Sequence, residues 1–268
     1  MLLAIDVGNT NIVMGVNDGK TYTNVWRLTT NKERTADEFG AFYLNMFRAA
    51  GLEMKAVDAI IISSVVPGIM YTLNHSLEKY FDVKPLLVEP GIKTGLNIQI
   101  DHPKDLGADI IVNLVAAYEL YGGPAIVVDF GTATTFSCVT KKFECPGVVI
   151  CAGVKVTAEA LYKRAANLPN IDIMMPPKVI GKNTINSMQS GIICGYQGLI
   201  ANVVDNMRRE LAEDYGQVKE DIKVIATGGL LNLIAKKSDR IGYIDNQLTL
   251  NGLKLVYDKN KPKAEGKA

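Results

Sequence analysis

Short apolar segments alternate along the chain with longer segments in which apolar residues recur at helical spacing. This alternation predicts an α/β fold in which amphipathic helices connect buried strands. We expect strands at residues 2–5, 12–16, 59–66, 85–88, 148–150 and 223–226. We expect helices at residues 35–50, 69–80, 107–120, 157–166 and 187–211.

The amino-terminal strand–turn–strand pattern recurs later in the chain, with Asp6 repeated 123 residues on as Asp129. Residues 3–16 align with residues 126–139, and both segments contain an apolar strand, an aspartate, a glycine, small residues and a second strand. The repeat indicates two duplicated domains, although two unrelated strand–turn–strand units would show the same pattern. We expect a first domain at residues 1–121, a second at 122–256 and a flexible tail at 257–268.

The composition excludes several classes of function. The 268 residues include 29 basic and 28 acidic side chains, so a net charge of +1 provides no basic excess for binding nucleic acid or an anionic membrane. Only two histidines are present, which argues against a histidine-based metal centre. A hydrophobic share of 48% fits a soluble globular protein. No apolar stretch approaches the ~20 residues that a membrane helix requires.

The cysteines and the start of the chain indicate a cytoplasmic protein. The four cysteines lack the spacing of zinc ligands, and we expect them to be reduced and buried. They are Cys138, Cys145, Cys151 and Cys194. No secretory segment is expected, because Asp6 interrupts the first apolar run before it reaches a useful length.

The turn after the first strand has the composition of a phosphate-binding loop. It reads Asp6-Val7-Gly8-Asn9-Thr10-Asn11. Gly8 allows the backbone to approach a ligand closely, and backbone N–H groups and polar side chains can donate to phosphate oxygens. Asp6 could hold a hydrated Mg²⁺ that bridges the phosphates, because Mg²⁺ prefers carboxylate and water ligands. A hairpin turn with local side-chain hydrogen bonds is the alternative interpretation.

Two further turns of similar composition follow other apolar strands. They read Asp129-Phe130-Gly131-Thr132-Ala133-Thr134 and Thr227-Gly228-Gly229-Leu230. In duplicated domains the first two turns would face each other across a cleft and hold a nucleoside triphosphate from both sides. The third would offer bare backbone to the adenine or ribose, although a plain strand-to-helix connection would look the same. The chain has no P-loop motif and no Gly-x-Gly-x-x-Gly after its first strand, which argues against P-loop and dinucleotide-binding enzymes.

The order and spacing of these motifs resemble the type III pantothenate kinases over residues 2 to about 256. Further motifs that carry the resemblance are Gly107-Ala108-Asp109, Gly181-Lys182-Asn183-Thr184 and Ala226-Thr227-Gly228-Gly229. The resemblance implies a duplicated actin-like, sugar-kinase-like fold of the ribonuclease H type, with an interdomain nucleotide cleft. It also implies ATP-dependent phosphorylation of pantothenate to 4′-phosphopantothenate, the first step of coenzyme A biosynthesis. The family works as homodimers and requires a monovalent cation, K⁺ or NH₄⁺.

The resemblance further implies a role for individual residues. The ATP phosphate loop would consist of Asp6, Val7, Gly8, Asn9, Thr10, Asn11, Ile12 and Val13. Thr132 would make another ATP contact, and Asp129 would lie at the monovalent cation. Asp109 would be the general base, although an aspartate in the first turn of a helix can also simply stabilise the helix dipole. The substrate contacts would be Ile100, Gly107, Ala108, Asp109, Ile110 and Thr184.

Four positions depart from the family pattern, and they cluster where the family binds its substrate. Ile110 stands in place of an arginine and Ile100 in place of a tyrosine, while Val148 replaces a glycine and Ala152 a proline. Losing one hydrogen bond to a charged group costs about 1.5–3 kcal/mol. Two interpretations of the function therefore remain beside pantothenate kinase. The chain could be a kinase for a different alcohol with a less polar pocket, or a non-catalytic, nucleotide-binding regulator.

Overall fold

A computed structural model describes residues 1–229, 231 and 238–261. Contacts divide these residues into two units. The first unit comprises Met1–Gly95, Lys104–Ala116 and the described residues from Thr249 onward. The second unit comprises Leu96–Pro103 and Ala117–Leu248.

The first unit is built on a five-stranded sheet. Its strands are β1 (Leu2–Val7), β2 (Asn11–Asn17), β3 (Tyr22–Thr29), β4 (Ala59–Ser64) and β5 (Leu86–Leu87). The first three form an antiparallel meander, and β4 and β5 continue from β1 in parallel, which gives the order β3-β2-β1-β4-β5. Helices α1 (Ala36–Ala49) and α2 (Pro67–Phe81) precede and follow β4.

Helix α1 shows how the sequence encodes both the start of a helix and its buried face. The Thr35 side chain accepts a hydrogen bond from the Glu38 N–H at 3.3 Å, and the Glu38 carboxylate accepts one from the Thr35 N–H at 2.7 Å. This capping box satisfies backbone donors at the helix start. Phe39, Tyr43 and Phe47 follow at intervals of four residues, are fully buried, and pack into the core of the first unit.

The second unit contains another five-stranded sheet and a small two-stranded sheet. Helix α3 (Ala108–Tyr121) begins in the residues of the first unit and ends in those of the second. In chain order, the strands of the second unit are β6 (Asn97–Ile98), which precedes α3, and then β7 (Ala125–Phe130), β8 (Ala133–Val139), β9 (Glu144–Cys145), β10 (Val148–Ala152), β11 (Lys223–Gly228) and β12 (Tyr243–Ile244). The remaining helices are α4 (Val154–Arg164), α5 (Thr184–Glu213) and α6 (Leu248–Asn260).

The two five-stranded sheets have the same topology, as the sequence repeat predicts. The second has the order β10-β8-β7-β11-β12, with β7, β8 and β10 antiparallel and β11 and β12 parallel to β7. The pattern of buried and half-buried residues along β1 and β2 recurs residue by residue along β7 and β8. The core of each unit therefore lies against an equivalent sheet.

The constant spacing of the repeat holds only for the first strand of each pair. Val7 pairs with Ile12 in the first unit, whereas Phe130 pairs with Thr134 in the second. The second turn is thus one residue shorter, so β8 follows β2 by 122 residues rather than 123. The shortening is confined to the turn, which leaves the faces of both strands unchanged.

The predicted helices are confirmed, with earlier starts in the second unit. Helices α4 and α5 begin three residues before their predicted starts, because Gly153 and Asn183 are their N-caps. The edge strand β3 and helix α6 were not predicted. Helix α6 reaches Asn260 and so extends into the segment for which we expected a tail, while residues 262–268 lie outside the described residues.

Candidate functional site

The turn between β1 and β2 is closed by its own backbone and braced by the residue after β3. The Gly8 N–H donates to the Asn11 carbonyl at 3.0 Å. The Thr30 N–H donates to the Thr10 carbonyl at 2.9 Å, and the Thr30 hydroxyl donates to the Gly8 carbonyl at 2.6 Å. These bonds fix the backbone of the predicted phosphate loop before any ligand binds.

Only some residues of this predicted loop expose their side chains. Val7 and Ile12 are fully buried in the core, so they can offer a ligand backbone groups alone. Asn9 and Thr10 are exposed at the tip of the turn. The half-buried residues are Asp6, Gly8, Asn11 and Val13. The tip therefore presents an amide and a hydroxyl, which are groups that can donate to phosphate oxygens.

Asp6 has a partner that the sequence motifs did not indicate. It pairs in register with Ser63 of the parallel strand β4, and the Ser63 hydroxyl donates to Asp6 Oδ1 at 2.6 Å. Ser63 is fully buried, whereas Asp6 is half-buried. The signal in the sequence is slight: the apolar run of β4 ends in two serines. A carboxylate at a strand end suits the oxygen-ligand preference of Mg²⁺, so the residues present fit that ion.

Asp109 lies in the first turn of α3, close to the carboxyl ends of β1 and β4. The Gly107 carbonyl accepts the first helical hydrogen bond, from the Ile111 N–H at 3.1 Å. A methyl group on Gly107 would collide with the Asp109 carboxylate and would lie 3.5 Å from Val65 Cγ1. The Val65 N–H in turn donates to the Val7 carbonyl at 3.1 Å. The start of α3 is therefore positioned against these two strand ends.

The environment of Asp109 makes it a stronger base than an ordinary aspartate. Burial raises the pKa of its carboxyl above the ordinary value of 3.8, and this effect outweighs the opposing hydrogen bond from the Ile110 N–H at 2.8 Å. A carboxylate with a raised pKa accepts a proton more readily. The flanking Ala108 and Ile110 are only 8% and 6% exposed. The isoleucine that stands in place of an arginine is thus part of the core.

Helix α6 supports α3 one turn beyond Asp109. The Thr249 hydroxyl donates to Asn113 Oδ1 at 2.8 Å, and Asn113 is 1% exposed. Gly252 lies against the backbone of Val112 so closely that an added methyl group would overlap the Val112 carbonyl. The first turns of α6 therefore limit how far α3 can rotate or shift.

The turn between β7 and β8 is constructed like the first one. The Gly131 N–H donates to the Ala133 carbonyl at 3.1 Å, and the Gly153 N–H donates to the Thr132 carbonyl at 3.0 Å. Gly153 follows β10 just as Thr30 follows β3, so the same backbone bond braces both turns. An added methyl at Gly153 would lie 2.6 Å from the Gly131 carbonyl oxygen. Thr132 itself is exposed, as a predicted ATP contact requires.

A buried tyrosine ties this second turn to helix α5. Tyr196 Oη lies 2.7 Å from Thr134 Oγ1 and 2.6 Å from the Ala152 carbonyl oxygen. A phenol has a single hydrogen and a carbonyl can only accept, so Tyr196 donates to Ala152 and the Thr134 hydroxyl donates to Tyr196. Burial raises the pKa of Tyr196, which keeps this donor protonated.

Asp129 ends up in the position in the second sheet that Asp6 has in the first. It is half-buried and pairs in register with Thr227 of β11. Gly228 has a φ of +102°, and an added methyl would lie 2.6 Å from Asp129 Oδ1. A carboxylate packed against backbone offers oxygen ligands that suit a hard cation, so these residues fit a monovalent ion. Leu230 of the third predicted turn lies outside the described residues.

The other two predicted substrate contacts, Ile100 and Thr184, and the two departures from the family pattern at Val148 and Ala152, lie in the second unit. Thr184 is exposed at the start of α5 and lines, with Ala152, an apolar groove of about 680 Å³ beside α4. Val148 lines a different cavity of about 160 Å³ that also contains Cys138. Ile100 is half-buried in the segment after β6.

All four cysteines are free thiols. Cys138 and Cys145 are buried, and burial raises the pKa of Cys138 to about 12 and that of Cys145 to about 11, so both are protonated and unreactive. Cys151 and Cys194 are only half-buried. In the described part of the chain, no three histidine, cysteine or acidic side chains are grouped as a metal site would require. No described helix has the length and apolar character needed to cross a membrane.

Known proteins share both sequence and fold with this chain. A family model described as type III pantothenate kinase matches residues 2–206. A Campylobacter jejuni structure proposed to be a Baf family transcriptional activator has 19% identity and a TM-score of 0.60, covering 96% of this chain and 98% of its own. A proposed 2-dehydro-3-deoxygalactonokinase from Sinorhizobium meliloti has 12% identity and a TM-score of 0.57, covering 100% and 99%. MreB 5 of Spiroplasma citri bound to AMPPNP has 8% identity and a TM-score of 0.57, covering 96% of each chain.

Proposed function

Because the chain belongs to the type III pantothenate kinase family, we propose that its two turns and Asp109 carry out the ATP-dependent phosphorylation of pantothenate. The protein is a phosphotransferase with an alcohol as acceptor, and it has the two-domain actin-like fold. Its reaction yields 4′-phosphopantothenate and opens coenzyme A biosynthesis. The observation that supports the catalytic assignment most directly is the half-buried carboxyl of Asp109 with its raised pKa, placed by α3 against the ends of β1 and β4.

Asp109 acts as the general base in this proposal. It accepts the proton of the primary hydroxyl of pantothenate while that oxygen attacks the γ-phosphorus in line with the leaving ADP oxygen. The raised pKa supports the role, because a base is most effective when its pKa approaches the working pH. General-base catalysis of this kind contributes about 10²–10⁴-fold to the rate.

The two turns hold the nucleotide and its ions. The backbone and polar side chains at the tip of the first turn, Asn9 and Thr10, bind the phosphates of ATP, and Thr132 makes a contact from the second turn. Asp6 holds the hydrated Mg²⁺ of the ATP complex, which neutralises phosphate charge when it is bound. Asp129 holds the monovalent cation, K⁺ or NH₄⁺. The preformed backbone bonds of both turns support these roles, since preorganised donors lose little entropy on binding.

The substrate side is proposed from the family positions. Gly107, Ala108 and Asp109 offer the start of α3 to pantothenate, and Thr184 offers its exposed hydroxyl. Ile100 and Ile110 are apolar at positions where the family is polar, so pantothenate would be held with fewer hydrogen bonds here. A weaker affinity for pantothenate is therefore expected than in members that keep both polar groups.

A homodimer is the proposed assembly, formed through the apolar face beside α4 and α5 of the second unit. We define this apolar face by large apolar side chains that are 39–84% exposed: Ile150, Val156, Leu161, Val179, Ile180 and Ile185. Large apolar side chains exposed to this degree are typical of interfaces. A second copy of the chain is the proposed occupant, in keeping with the homodimers of the family. The four free thiols support a cytoplasmic location.

A coupled ADP-release assay with pantothenate, ATP, Mg²⁺ and K⁺ tests the function. We expect the wild type to release ADP and form phosphopantothenate, detected by mass spectrometry. Asp109→Asn should reduce turnover by about 10²–10⁴-fold. Asp105→Asn is the matched control, since Asp105 is exposed in the single 3-10 turn before α3.

Three outcomes would contradict parts of this proposal. Undiminished activity of Asp109→Asn would remove Asp109 from the mechanism. ADP release with another alcohol but not with pantothenate would identify a kinase of different specificity. ATP-dependent thermal stabilisation without turnover on any alcohol would identify a nucleotide-binding regulator.

A further inference from the structure

Ser63 has a buried hydroxyl that donates to an acidic side chain rather than to the backbone. It is fully buried in β4, and its hydroxyl donates to Asp6 Oδ1 at 2.6 Å. This distance lies in the range of charge-assisted hydrogen bonds from a hydroxyl to a carboxylate. Buried serines commonly donate to a nearby backbone carbonyl, as Ser76 does to Leu73 at 2.7 Å. Ser63 instead donates to an acidic side chain on the neighbouring strand.

The register of the sheet determines this pairing. Asp6 and Ser63 are direct partners in the parallel pair of β1 and β4, so their side chains leave the sheet on the same side. The hydroxyl of the next residue, Ser64, accepts a hydrogen bond from the Val66 N–H at 3.1 Å in the turn before α2. The Ser63 hydroxyl thus donates to the Asp6 carboxylate, while the Ser64 hydroxyl accepts from the backbone.

The duplicated sheet contains a hydroxyl residue at the same position. Thr227 of β11 is the register partner of Asp129, as Ser63 of β4 is the register partner of Asp6. Thr227 is 2% exposed. Both units thus place a buried hydroxyl residue opposite the carboxylate that ends the first strand of the sheet.

We propose that Ser63 is a positioning residue, whose hydroxyl holds the Asp6 carboxylate in the orientation that receives the divalent ion of the ATP complex. This inference rests on the proposed function and adds a residue that no sequence motif indicated. The terminal torsion of an aspartate is broad and weakly restricted. A strong hydrogen bond to Oδ1 removes that freedom before the ion binds.

The inference predicts a specific defect in Ser63→Ala. Loss of a hydrogen bond to a charged group should raise the divalent-ion concentration for half-maximal binding by about ten- to a hundredfold. The KM for pantothenate should stay within about twofold of wild type, since the substitution leaves Asp109 and α3 untouched. Ser63→Thr, which keeps a hydroxyl at the position, should restore ion binding.

Mn²⁺ provides the probe, with its free fraction measured by electron paramagnetic resonance in the presence of AMPPNP. This measurement reads ion binding without turnover. Ser76→Ala is the matched control, because Ser76 is another fully buried hydroxyl of the first unit, 2.9 Å from Tyr43 Oη. We expect wild type, Ser63→Thr and Ser76→Ala to bind Mn²⁺ alike and Ser63→Ala to bind it at least about tenfold more weakly.

The outcomes separate this inference from the proposed function. Mn²⁺ binding by Ser63→Ala within twofold of wild type would overturn it, as would an equal loss in Ser76→Ala or no binding by wild type. If Ser63→Ala fails to fold, Ser63→Cys keeps the volume with a weak donor and must show the same loss. A wild type that binds Mn²⁺ with AMPPNP yet does not phosphorylate pantothenate would contradict the proposed function and leave the role of Ser63 in ion binding intact.

Discussion

Replacing Gly228 with alanine tests whether the end of β11 holds Asp129 in place. Gly228 has a φ of +102°, and the added methyl would lie 2.6 Å from both Asp129 Oδ1 and the Phe130 backbone nitrogen. Gly19 provides the matched control. Its φ is +104°, but no described atom lies within 4 Å of the same added methyl.

Both substitutions place a side chain on a left-handed backbone, but only Gly228→Ala also creates a steric clash. A left-handed backbone costs a residue with a side chain about 1–2 kcal/mol, and Gly19→Ala should lower the free energy of unfolding by that amount alone. At Gly228 the methyl also meets atoms of β7 well inside ordinary contact distance, so β11 must shift away from its register partner Phe130. Overpacking of this kind costs a further ~1–3 kcal/mol. Gly228→Ala should therefore lose about 2–5 kcal/mol in total.

Urea unfolding followed by circular dichroism measures both losses. Trp26, the single tryptophan, lies in the first unit, so its fluorescence would not report on β11. A K⁺ titration of ADP release supplies the functional readout, and the half-saturating K⁺ concentration should rise in Gly228→Ala and stay constant in Gly19→Ala. Equal stability losses in the two variants, with unchanged K⁺ dependence, would refute the reasoning.

Three further predictions concern the base, the second turn and the apolar face. Burial raises the pKa of Asp109, because the fold disfavours the ionised carboxylate. The free energy of unfolding is therefore highest while Asp109 is protonated, and it falls as the pH rises through the raised pKa. Asp109→Asn should accordingly raise Tm at pH 7, and the acid limb of the wild-type kcat/KM profile should lie above pH 3.8. Tyr196→Phe removes two hydrogen bonds and should lower the free energy of unfolding in urea by about 1–3 kcal/mol. It should also raise the KM for ATP. Tyr118→Phe removes an exposed hydrogen bond and should change neither quantity. Leu161→Glu should convert the proposed dimer to a monomer in analytical ultracentrifugation. Leu120→Glu, on α3 and 50% exposed, should leave the proposed dimer intact.

The duplicated sheets could be predicted because their signal is local. An apolar strand, an aspartate and a glycine-containing turn recur in order, and both copies form the same antiparallel pair. Along the edge strand β3, half-buried and exposed residues alternate from Tyr22 onward in the structure. Such an alternating, half-polar segment lacks the continuous apolar run of the central strands, so it escapes a search for apolar runs.

The environment of the candidate base could not be predicted in the same way. The resemblance indicated Asp109, but its raised pKa depends on burial that only the packed fold creates. The pairing of Asp6 with Ser63 depends on the register between strands separated by more than fifty residues. Likewise, the close contact of Gly252 with Val112 requires α6 to pack on α3, which no periodicity in either helix specifies.

The return of α6 to the first unit has a consequence for how a newly made chain matures. The ribosome releases residues 1–116 long before Thr249, yet the Thr249 hydroxyl and Gly252 are what secure α3 at Asn113 and Val112. A nascent chain therefore carries Asp109, the proposed general base, on a helix that still lacks its contacts with α6. Termination of synthesis before Thr249 would therefore leave α3 of the first unit without these contacts, although that unit is mostly synthesised first.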